Sequence, residues 1–141
     1  MRRFAVIIAL PALVSATTAT TQLDVSIEGV RNQRGLIHAC LTADEHFFPD
    51  CRKDPQALKR TAPATTRNLI FTGYPPGDYA LTVVHDENGN QRLDTMLGIP
   101  KEGFGFSRNP VVRFGAPRFK QVDIKLELGF TRAAVRMQYI L

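Results

Sequence analysis

The stretch Pro75-Pro-Gly-Asp-Tyr-Ala-Leu-Thr-Val-Val-His85 decides the fold class. Proline fixes φ and glycine accepts positive φ, so Pro75 to Asp78 is a turn by composition. Directly after it, Tyr79, Leu81 and Val83 point one way and Ala80, Thr82 and Val84 the other, the period of two that a pleated strand requires. The same pattern recurs outward in both directions. Upstream, Leu23, Val25 and Ile27 alternate with Asp24, Ser26 and Glu28; Gly29 to Gly35 makes the turn, and Leu36 to Thr42 is the partner strand. Lys59 to Arg67, with its Thr-Ala-Pro-Ala-Thr-Thr run, reads as an exposed connection or a proline-tolerant edge strand, and Asn68 to Phe71 as a short apolar strand. Downstream, Val122, Ile124, Leu126 and Leu128 alternate with Asp123, Lys125 and Glu127, and Val135, Met137, Tyr139 and Leu141 with Arg136 and Gln138. Apolar residues show no sustained helical period; Glu45 to Leu58 offers a short helical turn or two. Strands joined by turns, without helices to cover both faces, predict an all-β antiparallel β-sandwich of about seven strands with one long loop.

The N-terminus predicts export. Arg2 and Arg3 precede an apolar run from Phe4 to Val14 and a small polar exit from Ser15 to Thr21, the layout of a secretory signal peptide. Cleavage fits after Ala16 or after Ala19; the second gives a signal peptide at 1–19 and a single domain at 20–141. The apolar run has roughly half the ~20 residues that a membrane span needs. Removing the signal leaves 16 basic against 13 acidic residues, a formal charge of +3. The cations are scattered, so a nucleic-acid partner has little electrostatic footprint here. The expected location is periplasmic or extracellular.

In an oxidising compartment, Cys40 and Cys51 read as a disulfide across a turn-rich stretch, contributing about 3 kcal/mol by the loop-closure argument. The rival is a metal site drawn from His38, Cys40, His46 and Cys51, whose spacing is looser than zinc motifs use.

After the strand ending at His85, oxygen ligands recur at alternate positions. Counting Asp86 as the first residue of a calcium loop, Asp86, Asn88, Asn90 and Asp94 occupy positions 1, 3, 5 and 9. Position 6 is Gln91 where a sharp turn wants glycine, and position 12 is Leu97 where a bidentate Glu belongs. Calcium would therefore be held weakly, with a dissociation constant on the order of 0.1 to 1 mM. The competing reading closes a hairpin-like loop through Asx side chains that bond their own backbone. In Gly103-Phe-Gly-Phe-Ser107, Phe104 and Phe106 are either a platform for a protein or glycan ligand or aromatics folded under the loop.

Phe71-Thr-Gly-Tyr-Pro-Pro-Gly-Asp-Tyr-Ala80, His85-Asp-Glu-Asn-Gly-Asn90, Leu93-Asp94 and Gly98-Ile-Pro-Lys-Glu-Gly-Phe-Gly-Phe-Ser107 resemble the secreted bacterial family catalogued as domain of unknown function 2141. The resemblance implies a secreted β-sandwich of the prealbumin or immunoglobulin-like kind with no assigned activity, and the cysteine pair looks like the pairing in one branch. Family members often carry glycine where this chain has Gln91, which disfavours positive φ there.

Two functions from different classes follow. One is a non-catalytic secreted binding or structural module that uses the 86–109 loop, with calcium as its candidate cofactor and no catalytic residues. The other is a small hydrolase on a transthyretin-like scaffold of the hydroxyisourate-hydrolysing type, using His38 and His85. It requires those histidines and a basic side chain to converge, and the chain ends in Gln138-Tyr-Ile-Leu141 without that family's Tyr-Arg-Gly-Ser signature.

Overall fold

A computed structural model describes residues 19–141; the expected signal peptide lies outside them except for Ala19. The strands are β1 (Thr21–Glu28), β2 (Leu36–Thr42), β3 (Leu58–Pro63), β4 (Asn68–Thr72), β5 (Gly77–Asp86), β6 (Thr95–Met96), β7 (Ile99–Pro100), β8 (Gly103–Phe106), β9 (Ile124–Leu126) and β10 (Gly129–Arg136). One sheet orders β10-β1-β4; the other orders β3-β2-β5-β8, with β9 pairing the beginning of β5. The fold is an all-β sandwich. Among the described residues, the helices are a single turn, α1 (Phe119–Val122), and two 3-10 turns at Glu45–Phe47 and Cys51–Lys53.

The alternation of β1 and β5 fills the core together with the apolar residues of β2, β4 and β10. Leu23, Val25 and Ile27 of β1, Leu69 and Phe71 of β4 and Val135 of β10 face Ile37, Ala39 and Leu41 of β2 and Tyr79, Leu81 and Val83 of β5. Each side chain fully removed from water contributes about 1.5 to 3 kcal/mol before the entropy of ordering is counted.

Four features correct the sequence reading. The sandwich is not wholly antiparallel, because β1 and β10 run parallel from Thr21↔Gly129 to Glu28↔Arg136. Such a pairing joins opposite ends of the chain, and local periodicity carries no sign of it. Second, Val122 closes α1 and is not part of a strand, so only Ile124–Leu126 remains extended there. Third, the last strand begins earlier than its apolar alternation and stops at Arg136; the alternation continues because Met137 and Tyr139 still pack on the core, while Gln138 makes an isolated bridge to Phe104. Finally, the 86–109 excursion is not one loop. It contains the β6–β7 hairpin, turned by Leu97 and Gly98 at φ 52° and 79°, and the strand β8.

β8 also settles Phe104 and Phe106 as core residues, 4% and 5% exposed, and not as a ligand platform. Both rings lie on the outer face of β5 beside Ala80, under Phe119 and Val122 of α1, with Phe48 packed against them. The alternate glycines explain why this strand can fit between two packed layers: a Cβ on Gly105 would stand 2.6 Å from Val135 Cγ1 and 3.0 Å from the Arg136 carbonyl oxygen. Glycine there lets β8 and β10 approach. Ser107, fully buried, closes the gap that β8 and β9 leave on β5. Its Oγ accepts from the Leu81 N–H at 3.0 Å and donates to the Val122 carbonyl at 2.5 Å.

The packing of β8 predicts that Gly105→Ala overfills the layer against β10. Denaturant unfolding should show a loss of about 1 to 3 kcal/mol, and an unchanged midpoint would refute the close-approach argument.

Candidate functional site

The region after β5 is organised around two buried carboxylates. Asp86, the last residue of β5, is fully buried. Its Oδ1 accepts the Asn90 N–H at 3.1 Å, and its Oδ2 accepts the Gln91 N–H at 2.7 Å and His38 Nε2 at 3.0 Å. Burial pushes the Asp86 pKa up, but the bonds from the Gln91 amide, the His38 ring and the Asn90 and Gly89 amides outweigh it and hold the group below its ordinary value. The β1–β2 turn closes over this point because Gly35, at φ 72°, has no Cβ to overlap the Asp86 carbonyl oxygen.

Glu102 is the second staple, 4% exposed. One carboxylate oxygen accepts the Glu87 N–H at 2.9 Å and the other the Asp94 N–H at 3.0 Å, so a single side chain holds both ends of the turn. The Lys101 N–H adds a bond to the Asp94 carbonyl at 2.9 Å.

Of the four expected calcium ligands, three converge. Asn88 Nδ2 donates to Asp94 Oδ2 at 2.5 Å, and Asn90 Nδ2 reaches the same carboxylate at 2.8 and 3.0 Å. Asn88 Oδ1 accepts the Asn90 N–H and Asn90 Oδ1 the Arg92 N–H, as Asx turns do. Asp86 stands apart from them, with both oxygens engaged by the backbone and His38. Asp94 is thus faced by amide nitrogens while both amide oxygens accept backbone N–H groups, a poor match for a tight calcium site.

Beside this turn lies a polar cleft of about 270 Å³, lined by Arg31, Arg34, Glu87, Asn88, Asp94, Lys101 and Glu102. Arg31 is a clamp within it. Its Nε donates to Glu87 Oε1 at 2.5 Å, its terminal nitrogens donate to the Leu141 and Lys101 carbonyls at 2.7 and 3.0 Å, and the guanidinium lies 4.5 Å over the Tyr139 ring. The Arg31 guanidinium, opposed by burial, holds Glu87 below the ordinary carboxylate range. The Arg34 side chain is 75% exposed and stands 3.6 Å from Glu87.

The histidines do not converge. Ile37 pairs with His85 across the β2–β5 ladder, so His38 and His85 project from opposite faces of the sheet. His85 is fully buried; its Nε2–H donates to the Arg34 carbonyl at 2.8 Å and its Nδ1 accepts from the Tyr139 hydroxyl at 2.8 Å. A carbonyl only accepts, which fixes this tautomer. His38 is bonded between Asp86 and the Thr61 hydroxyl, the latter at 2.9 Å from Nδ1. The pocket that a two-histidine hydrolase needs is not formed.

Cys40 and Cys51 are joined in a disulfide with Cα atoms 6.3 Å apart, which removes the thiolates from the rival metal set. Among the described residues, no group of three or more His, Cys, Asp or Glu side chains is placed to hold a metal. No helix there is long and apolar enough to cross a membrane. No local pattern marks Glu102, Arg31 or Tyr139 as a residue of this site. Their partners lie 8 to 110 positions away, beyond any local periodic signal.

The folded protein holds Asp86 more readily ionised than the unfolded chain does. Its contribution is fully present above the ordinary carboxylate pKa, near 4, and is lost as pH falls below it. Asp86→Asn should therefore lower stability at pH 7 by about 1.5 to 3 kcal/mol and flatten the acid limb of a stability–pH profile. An unaltered acid limb would show that Asp86 is not the group being titrated.

No curated protein and no solved structure matches the chain. The family described as uncharacterized protein conserved in bacteria, DUF2141, matches residues 25–133. That match spans the β-sandwich from β1 into β10, including both carboxylate staples, and the chain belongs to the DUF2141 family.

Proposed function

We propose that the protein is an exported, non-catalytic binding module whose recognition element is the stapled segment Asp86–Glu102 and the charged cleft beside it. The observation that carries this reading is that two buried carboxylates bind the segment's own backbone amides, so its shape is set before anything binds. Preorganisation removes the ordering cost from association. Arg34 and Lys101 are exposed at the cleft, which suits an anionic group carried by a protein or a glycan. Export to the periplasm or beyond is supported by the Arg2-Arg3 and Phe4–Val14 pattern and by the disulfide, a bond that persists in oxidising compartments. The engagement of His38 and His85 on opposite faces favours binding over hydrolysis.

Capture from periplasmic extract by the mature domain tests this directly. Arg34→Glu combined with Lys101→Glu should release the captured partner while leaving the melting temperature within a few degrees. An identical captured set from wild type and double variant would place recognition elsewhere.

A second reading, weak calcium binding, starts from Asn88, Asn90 and Asp94 lying together and requires both amides to turn their oxygens, now bonded to backbone N–H groups, toward the Asp94 carboxylate. In this reading the three side chains hold the ion and Asp86 only shapes the turn. Calcium at ten times its dissociation constant should add about 1.4 kcal/mol relative to chelator, several degrees in thermal unfolding for a domain of this size. Asp94→Ala should abolish the shift, and no shift in the wild type would reject calcium.

A further inference from the structure

We infer that the outer edge of β10 accepts an acidic, extended peptide segment as an added strand. β10 ends its sheet, pairing with β1 on one side and with no named strand on the other among the described residues. The phase of that edge is fixed by Asn109, whose Nδ2 donates to the Ala134 carbonyl at 2.8 Å and whose Oδ1 accepts the Arg136 N–H at 2.7 Å. The side-chain amide imitates a peptide unit of a neighbouring strand and blocks the C-terminal half of the edge. Because alternate residues of a strand present their backbone groups to the same side, the N–H and C=O of Phe130 and Arg132 and the N–H of Ala134 face the same open edge. No hydrogen-bond partner is found for them among the described residues.

Other edges of the sandwich are guarded. On β4, Arg60 Nε donates to the Ile70 carbonyl at 3.2 Å; β8 is bridged at Phe104 by Gln138; and β3 carries Lys59, Arg60 and Pro63, residues that discourage pairing. The N-terminal half of β10 instead combines open backbone with apolar surface. Phe130 is 53% exposed and neighbouring Leu128 63%, and the Arg132 guanidinium lies 5.0 Å over the Phe130 ring. On the inner face, Thr131 and Ala133 are only half-buried, leaving apolar surface for side chains of an added strand to cover.

Charge selects the occupant. Arg136 is paired with Glu28 at 3.6 Å, whereas Arg132 has no carboxylate within ion-pair distance among the described residues. A second copy added antiparallel in the central register would set Arg132 against Arg132, and like charges directly opposite destabilise a sheet. A segment alternating Glu with Val places carboxylates on the Arg132 face and valines over Thr131 and Ala133. Main-chain hydrogen bonds would supply the affinity and this alternation the selectivity.

The probe is a fluorescein-labelled Glu-Val-Glu-Val-Glu-Val-Glu peptide, titrated with the mature domain by fluorescence polarisation. Saturable binding is expected, weakened about tenfold by Arg132→Glu and lost in Ala134→Pro, which removes an outward N–H without touching the β1 ladder. Amide hydrogen exchange gives a readout that needs no variant: the peptide should protect the Phe130, Arg132 and Ala134 amides. Binding that ignores Arg132→Glu, equal binding of the Lys-Val counterpart, or concentration-dependent dimers in place of peptide binding would each overturn the inference. The Arg34→Glu, Lys101→Glu variant should bind the peptide normally, so this edge and the cleft stand or fall separately.

Discussion

The ionised, fully buried carboxylate of Asp86 is the constraint on which the structure beyond the end of β5 depends. Taking a carboxylate out of water costs several kcal/mol unless donors replace its hydration. Donors from His38, Asn90 and Gln91, joined by the Gly89 amide, do so here, with structural consequences. His38 ties the carboxylate to β2 and, through the Thr61 hydroxyl, to β3; the Asn90 and Gln91 amides curl the chain back at the end of β5. The turn over this group therefore follows from electrostatics as much as from local preference. Gln91 makes the point. It sits at φ 64°, a conformation that costs an L residue roughly 1 to 2 kcal/mol, and its N–H makes the shorter of the two amide bonds to Asp86.

A residue pattern is legible in the sequence where its environment is local. Period-two alternation marks the inward-facing residues of β1 and β5 because each strand buries one face against the other sheet, which leaves a local imprint. Gly103-Phe-Gly-Phe106 left an ambiguous imprint, since both of its faces are buried: the phenylalanines under α1 and the glycines against β10. The parallel β1–β10 pair left none. Where an element's environment is made by distant segments on both sides, its own residues report only that they are small or apolar.

The site follows the same division. Alternating oxygen side chains correctly marked 86 to 94 as a stretch where backbone and side chain interact, and Asn88, Asn90 and Asp94 do meet. Equal spacing did not reveal unequal roles. Asp86 lies at the sheet end, where water is excluded, and becomes a scaffold group; Asp94, one turn further out, stays accessible to solvent. Glu102 could not be distinguished from any surface glutamate by sequence pattern, yet it closes the same turn from the far side. Gln91, where the family resemblance favours glycine, holds positive φ because the Asp86 carboxylate binds its N–H.

A sandwich must protect or use every strand edge that lacks a neighbour. Here the solutions differ in kind: an arginine on a β4 carbonyl, a backbone bridge on β8, charge and proline on β3, and on β10 a single asparagine. Asn109 holds φ 48° to do this, a conformation asparagine tolerates better than most residues. Its amide can cover only one peptide unit, so protection ends at Ala134, where the exposed Phe130 and the unpaired Arg132 begin. A guard that stops where aromatic surface and free positive charge start leaves a short, chemically distinct stretch of backbone that selects what can pair with it.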